Sequence, residues 1–344
     1  MKDRIGFIAV GQAGGNIGQL FEERGFSVLY LNTAQEDLDT LKNAKHRYHI
    51  TGGEGCNKDR NKAKQLVIDD FDNIAAKIDE TLDCEIMFLI FAAGGGTGSG
   101  AGPMLADLLL DDSKRAVGIV TILPAQSESI KSQINAYECF AELVEIPTTS
   151  ACFIIDNDKG DKMSLNPLFV SAFTEFIEVP EKYKSDKGNI DKAETVETLK
   201  AHGMATVLRY EGSITADIIE GIGSNIFAPL EQDRRVKYIA VSCDASIGEL
   251  SDIQKKVGIP FDVFRAYSET AHVMLSGLSY PKTRLDVIHS FIQDNKEMIV
   301  NNLTSAGIKL ENDMDFLNVA ASSSARPQGQ KSHRDIMNRY LRKK

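Results

Sequence analysis

What this chain of 344 residues lacks narrows it first. No apolar run approaches the roughly eighteen residues of a membrane span, and Met1-Lys2-Asp3-Arg4 leads straight into an apolar strand with no leader-like stretch. The expected setting is the cytoplasm, without membrane insertion. Cysteine is sparse. Cys56, Cys84, Cys139, Cys152 and Cys243 are scattered, odd in number and include no Cys-x-x-Cys, which excludes a disulfide framework and fits buried thiols in a reducing compartment. His46, His49 and Cys56 lack a fourth partner, so they are not read as a zinc site, and the sequence names no metal ligand. A Walker phosphate loop, with its Gly-Lys-Ser/Thr ending, is absent as well.

What is present begins with Gly94-Gly95-Gly96-Thr97-Gly98-Ser99-Gly100, five glycines in seven residues. The apolar run Cys84 to Ala93 precedes it and predicts a buried strand. Met104 to Leu110 follows it and predicts a helix with Pro103 in its first turn. A glycine backbone there can bring several N–H groups to an anion, Thr97 and Ser99 add hydroxyl donors, and the helix N-terminus adds its positive dipole end. Such a stretch is a phosphate cradle.

A second glycine loop, Gly11 to Gly18, joins the strand Ile5 to Val10 to a helix running to about Arg24. A dinucleotide fingerprint would need glycine where Ala13 stands, and an acid at the end of the second strand, where Leu31-Asn32-Thr33 offers none. A nicotinamide-type oxidoreductase is therefore the weaker alternative. Gly52-Gly53-Glu54-Gly55-Cys56-Asn57 reads equally as a phosphate loop or a plain turn, and Glu128 equally as a binding carboxylate or a solvated loop acid. Asn157, after the strand Ala151 to Ile155, could pair both edges of a purine, because an amide donates and accepts. A long helix is expected over about Asn166 to Glu178, ended by Pro180 and the polar stretch after it. Asp191 and Glu194 open the next helix, where acids are ordinary caps. Strands and helices then alternate, and a last long helix is expected from Thr283 to about Leu303.

The glycine string matches the signature loop of the tubulin/FtsZ superfamily of GTPases, and Gly-Gln-x-Gly-x-x-Ile-Gly at 11–18 resembles its first nucleotide loop. The resemblance implies an α/β fold: a Rossmann-like parallel-sheet GTPase domain (1–163), a long central helix with the loop and helix after it (164–203), a smaller α/β second domain (204–320) and a basic disordered tail (321–344). It also implies GTP/GDP with Mg²⁺ as ligands. Residue by residue, it implies nucleotide contacts from Gly11, Gln12, Ala13, Gly15, Asn16, Asn32, Gly53, Gly55, Gly94, Gly95, Gly96, Thr97, Gly98 and Asn135. Glu128 would take the ribose, and Asn157 and Asn166 the base. Two positions depart from the pattern: Lys162 stands where an aromatic often stacks, and the acid of Asn-Thr-Asp is displaced from Asn32-Thr33 to Glu36 or Asp37. Asn189, Asp191 and Glu194 resemble the loop that one subunit inserts into its neighbour's pocket to orient and deprotonate water, which implies a head-to-tail polymer that activates hydrolysis.

The net charge of −10 is uneven. From Ser322 onward seven basic residues face Asp335 alone, so this tail carries +6 and the body −16. A basic tail on an acidic body asks for an acidic partner. Cell-division FtsZ ends differently, in an acidic-apolar peptide, and remains the nearer alternative. The ending Ile336 to Lys344 resembles the TubZ branch, plasmid- and phage-borne filaments that move DNA through a centromere-binding adaptor, TubR. That implies an adaptor–DNA partner for residues 322–344.

Overall fold

The computed structural model describes residues 1–112, 115–211, 215–244, 250–304 and, near the C-terminus, 336, 337, 339 and 340. Its strands are β1 (Ile5–Val10), β2 (Ser27–Asn32), β3 (His46–His49), β4 (Ile86–Ala92), β5 (Ala116–Leu123), β6 (Ala151–Asp156), β7 (Gly203–Tyr210), β8 (Tyr238–Ser242), β9 (Asp262–Ala266) and β10 (Ala271–Leu278). They form one sheet in the order β3-β2-β1-β4-β5-β6-β7-β10-β8-β9. From β3 across to β7 every pairing is parallel, whereas β10 runs antiparallel to β7 and β8. The first half of the chain supplies α1 (Gly11–Glu23), α2 (Gln35–Asp39), α3 (Arg60–Thr81), α4 (Thr97–Asp112) and α5 (Ile130–Leu143). The central helix α6 (Lys162–Lys182) and α7 (Lys192–Leu199) precede β7, and α8 (Thr215–Gly223), α9 (Ser251–Val257), α10 (Lys282–Asp294) and α11 (Lys296–Thr304) follow it.

β1, β4, β5 and β6 are apolar and buried along nearly their whole length, as parallel strands covered on both faces must be. Phenylalanines knit strands to helices. Phe7 of β1 stacks on Phe21 of α1 at 3.9 Å, and Phe173 of α6 meets Phe7, Phe21, Phe88 and Phe153 at 5.5 to 5.9 Å. The far side of α6 faces the second half of the sheet, where Glu175 accepts from Arg209 of β7 at 2.7 Å. Among the described residues no helix is long and apolar enough to cross a membrane.

Three helices differ from the sequence expectation. α4 begins at Thr97, inside the glycine string, so Pro103 lies in its second turn and not its first. A proline there leaves the Ser99 carbonyl without its ladder partner, and Arg60 Nη2 fills the gap at 3.0 Å. α6 starts four residues before Asn166 and passes through Pro180 to Lys182. Its last turn is held from outside, by Lys2 on Glu178 and the chain's amino group on Glu181, each at 2.8 Å. The last long helix is two, because Asn295 turns its side chain back to the Phe291 carbonyl at 2.8 Å and α10 stops there.

The tail, expected to be disordered over 321–344, has four described residues, and they pack on the body. Ile336 and Tyr340 are buried, Arg339 forms an ion pair with Asp107 of α4, and the Lys64 ammonium of α3 lies 5.4 Å from the Tyr340 ring centre. Burial pushes the Tyr340 phenol well above its ordinary range.

A buried histidine makes the fold acid-sensitive. His272 of β10 is 1 % exposed, and neither ring nitrogen has a hydrogen-bond partner. Desolvation lowers its pKa to about 4, against about 6.5 in the unfolded chain. Between these values the unfolded state binds the extra proton, so the stabilising effect is full above pH 6.5 and is lost as pH falls towards 4. The expected loss from this one residue is about 2 kcal/mol between pH 7 and pH 5. Denaturant midpoints should show that part of the slope vanish in His272→Leu.

Candidate nucleotide site

Strand order reverses about β1, whose neighbours are β2 on one side and β4 on the other. At the carboxyl ends of β1 and β4 the crevice of such a switch point opens. A cavity of about 310 Å³ lies there, walled by Gly11, Gln12 and Ala13 of α1, by Gly55, Cys56 and Lys58, and by Gly95, Gly96, Thr97 and Gly98. Gly11 takes a φ of +74°, which lets α1 begin immediately after β1. Val10, its N-cap, offers no side-chain acceptor, so the first-turn N–H groups of α1 remain for a bound anion. Thr97 opens α4 against the same space.

The hydroxyls are less free than the sequence suggests. Ser99 is fully buried and its Oγ donates to the Gly95 carbonyl at 2.5 Å, which closes the glycine turn and takes this group out of the expected donors. Thr97 Oγ1 lies 2.7 Å from Thr33 Oγ1. Asn135, expected among the nucleotide contacts, is 5 % exposed. Its Nδ2 donates to the carbonyls of Gly95 at 2.8 Å and Lys58 at 3.1 Å, bracing two loops against each other. Gly94 packs beneath them against Ser132 and Pro124, and Gly53 against the Thr33 backbone, so neither reaches the cavity wall. Asn32 is buried and donates to Asp37 Oδ2 at 3.1 Å. Of the two acids following it, Asp37 lines the cavity and Glu36 points to solvent.

The expected base end has a different signature. Asn157 Oδ1 and Asn166 Oδ1 are both buried and unpaired, two orphaned acceptors where β6 ends and α6 begins. A buried acceptor without a donor costs about 1–3 kcal/mol, and a base edge bearing N–H groups would satisfy it. Glu128 Oε1 lies beside this corner, accepting from Ala125 N at 3.1 Å and from Asn157 Nδ2 at 3.4 Å. Gln12, Asn16 and Gly15 share the first turns of α1. The two side chains are exposed, whereas Gly15 packs against Leu41.

One clamp was hidden from sequence reasoning. Arg284 of α10 is 5 % exposed and grips both acids flanking Asn157: its Nε donates to Asp156 Oδ2 at 2.9 Å, and its Nη2 lies 2.7 Å from Asp158 Oδ2. The same Nη2 donates to the Pro124 carbonyl at 2.9 Å. The second half of the chain thus fixes the corner from which Asn157 projects. Nothing local to Arg284 signals this, since its nearest partner in the chain, Asp158, precedes it by 126 residues and Pro124 by 160. Lys58 was missed too, although it directly follows the third glycine loop.

Asn189, Asp191 and Glu194 are nowhere near this cavity. They follow the far end of α6, and the seventeen residues from Asn166 to Lys182 span about 24 Å of helix. That end sits by the amino ends of the strands, where Glu181 meets the amino group of Met1, and Lys200, just past α7, meets Glu85 ahead of β4. There Asp191 and Glu194 form a reciprocal capping box: Asp191 Oδ1 accepts from Glu194 N and Glu194 Oε2 from Asp191 N, both at 2.8 Å. Asn189 and Asp191 are exposed and Glu194 is half-exposed. The ordinary capping role is therefore present, on a surface at the pole opposite the cavity.

Residues 4–164 match the Tubulin/FtsZ family, GTPase domain. Over 303 residues the chain is 28% identical to the tubulin-like protein TubZ of Clostridium botulinum C phage, covering 86% of this chain and 84% of that one. The crystal structure of Clostridium botulinum phage c-st TubZ superposes with a TM-score of 0.78 at 26% identity, over 87% of this chain and all of that one. A GTPγS-form protofilament of Bacillus thuringiensis serovar israelensis TubZ shares the fold, with a TM-score of 0.76 at 16% identity over 87% and 94% of the two chains. With its glycine loops at the switch point and a likeness to TubZ along most of its length, the chain carries the GTPase domain of the tubulin/FtsZ family at residues 4–164.

Proposed function

We propose that this protein binds GTP at the β1–β4 crevice, stacks head to tail into filaments and hydrolyses GTP only at the junctions. One observation carries the reading: the cavity and the Asn189–Glu194 loop lie at opposite ends of the molecule, so a single copy cannot bring its acids to its own nucleotide. A neighbour stacked along that axis can. Such a contact is heterologous and unclosed, and it propagates. In this reading the base takes Asn157 and Asn166, the ribose Glu128, and the phosphates the N–H groups at the starts of α1 and α4. Mg²⁺ would face Asp37, the one carboxylate on the cavity wall among the described residues, and would neutralise phosphate charge. Asp191 and Glu194 would orient and deprotonate the attacking water. A TubZ protofilament with a GTP analogue supports the assembly. The divisions at 163 and 203 follow chemistry more than packing, because β6 and β7 continue one sheet across them, and the one at 320 lies outside the described residues.

The purpose of the filament, on the TubZ likeness, is to move plasmid or phage DNA in the cytoplasm through a centromere-binding adaptor such as TubR. The basic tail 322–344 is the proposed point of attachment, partly by phosphate attraction. Arg339 must leave Asp107 before it can pair with a phosphate. Deleting residues 322–344 should preserve GTP turnover and filaments while abolishing co-sedimentation with adaptor-bound DNA. Undiminished co-sedimentation would remove the tail from this role.

A further inference from the structure

The cavity that would take a nucleotide's phosphates has one basic side chain on its wall among the described residues, Lys58. Its surroundings are unusual for a lysine. The ammonium donates to two neutral hydroxyls, Ser129 Oγ at 2.9 Å and Ser132 Oγ at 2.6 Å, and has no carboxylate partner among the described residues. Neighbouring cations are committed elsewhere. Arg60 and Lys64 are paired with Glu138 and Glu142, and Lys131 donates to the Asn57 carbonyl at 2.8 Å.

The backbone beneath Lys58 is held in a costly shape. Asn57 and Lys58 have φ values of 44° and 59°, the left-handed region, which lysine seldom adopts. Two side chains of α5 pin it there: Lys131 on the Asn57 carbonyl, and Asn135 bridging the carbonyls of Lys58 and Gly95. Contact with the glycine turn is close enough that a Cβ on Gly96 would fall 2.8 Å from Lys58 N and Cα. Strain kept by dedicated hydrogen bonds beside a cavity points to a positioned side chain.

We propose that Lys58 is the cation that receives the phosphate chain of the bound nucleotide, resting on Ser129 and Ser132 until the anion arrives. This rests on the nucleotide reading above and deepens it by naming the charge that a Walker lysine would otherwise supply. A lysine suits the task, since a compact ammonium on a flexible stem can move from neutral hydroxyls to a phosphate oxygen. Asn135 then acts as a positioning residue, through the loop that carries Lys58.

The test is a set of binding isotherms for GTP, GDP and guanosine on the full-length chain. Lys58→Met should weaken GTP and GDP by about tenfold to a hundredfold, as loss of a charge-assisted hydrogen bond does, and leave guanosine unchanged. Lys58→Arg, which keeps the charge, should retain most of the affinity. Lys58→Gly relieves the left-handed backbone, so it should be at least as heat-stable as the wild type and still bind both nucleotides weakly, which separates charge loss from misfolding. Unchanged GTP binding in Lys58→Met, or an equal loss for guanosine, would overturn the proposal. A wild-type chain that binds none of the three would instead defeat the nucleotide reading itself.

Discussion

Replacing Asp191 with Asn and Glu194 with Gln should slow phosphate release by about 10²–10⁴-fold while GTP binding and filament formation persist. The choice of substitutions follows from the capping box. Both carboxylates hold the first turn of α7, so alanine would remove a cap worth about 1 kcal/mol and confuse folding with chemistry. Asn caps as well as Asp, and Gln serves at the third helical position as Glu does. The double variant therefore keeps the helix and removes only charge and basicity. Circular dichroism should find α7 intact, light scattering should show assembly on adding GTP, and released phosphate should collapse. If turnover survives, these acids are caps and nothing more.

The second large effect concerns base selection. Asn157→Ala and Asn166→Ala should each weaken GTP by about tenfold to a hundredfold, and together by up to about 10³-fold. The reason is already present without ligand: each Oδ1 is buried and unpaired, so guanine N–H groups would satisfy acceptors that the folded chain leaves unmet. A site built on such groups rejects a base that cannot donate to them, and ATP should compete poorly with the wild type. In the double variant the preference for GTP over ATP should shrink in competition titrations. An unchanged preference would place the base elsewhere.

Much of this was visible in the residue order, for reasons that differ by element. Parallel strands buried on both faces need unbroken apolar runs, so β1, β4, β5 and β6 announce themselves, as do the glycine turns at their ends. The start of α4 was misplaced because Pro103 marks a helix's first turn only when nothing else donates to the carbonyl it orphans, and Arg60 donates to the Ser99 carbonyl from another helix. Ser99 and Asn135 carry the right chemistry for a phosphate site but spend it on loop carbonyls, a choice only three-dimensional packing reveals. Lys58 and Arg284 were invisible for a related reason: their partners are serines and aspartates 71 to 128 residues away. The tail shows the same limit. Its basic character is plain in the sequence, yet its seat depends on Asp107, 232 residues from Arg339.

The division of one active site between two molecules is most directly tested by GTP turnover per molecule as a function of protein concentration. Turnover is expected to be nearly nil in dilute protein and to rise steeply above the concentration at which light scattering reports filaments. Mixing wild type with the Asp191→Asn, Glu194→Gln variant should lower the rate in proportion to mixed junctions. A rate per molecule that stays constant from dilute to assembled protein would contradict the shared site and, with it, the reason for the filament.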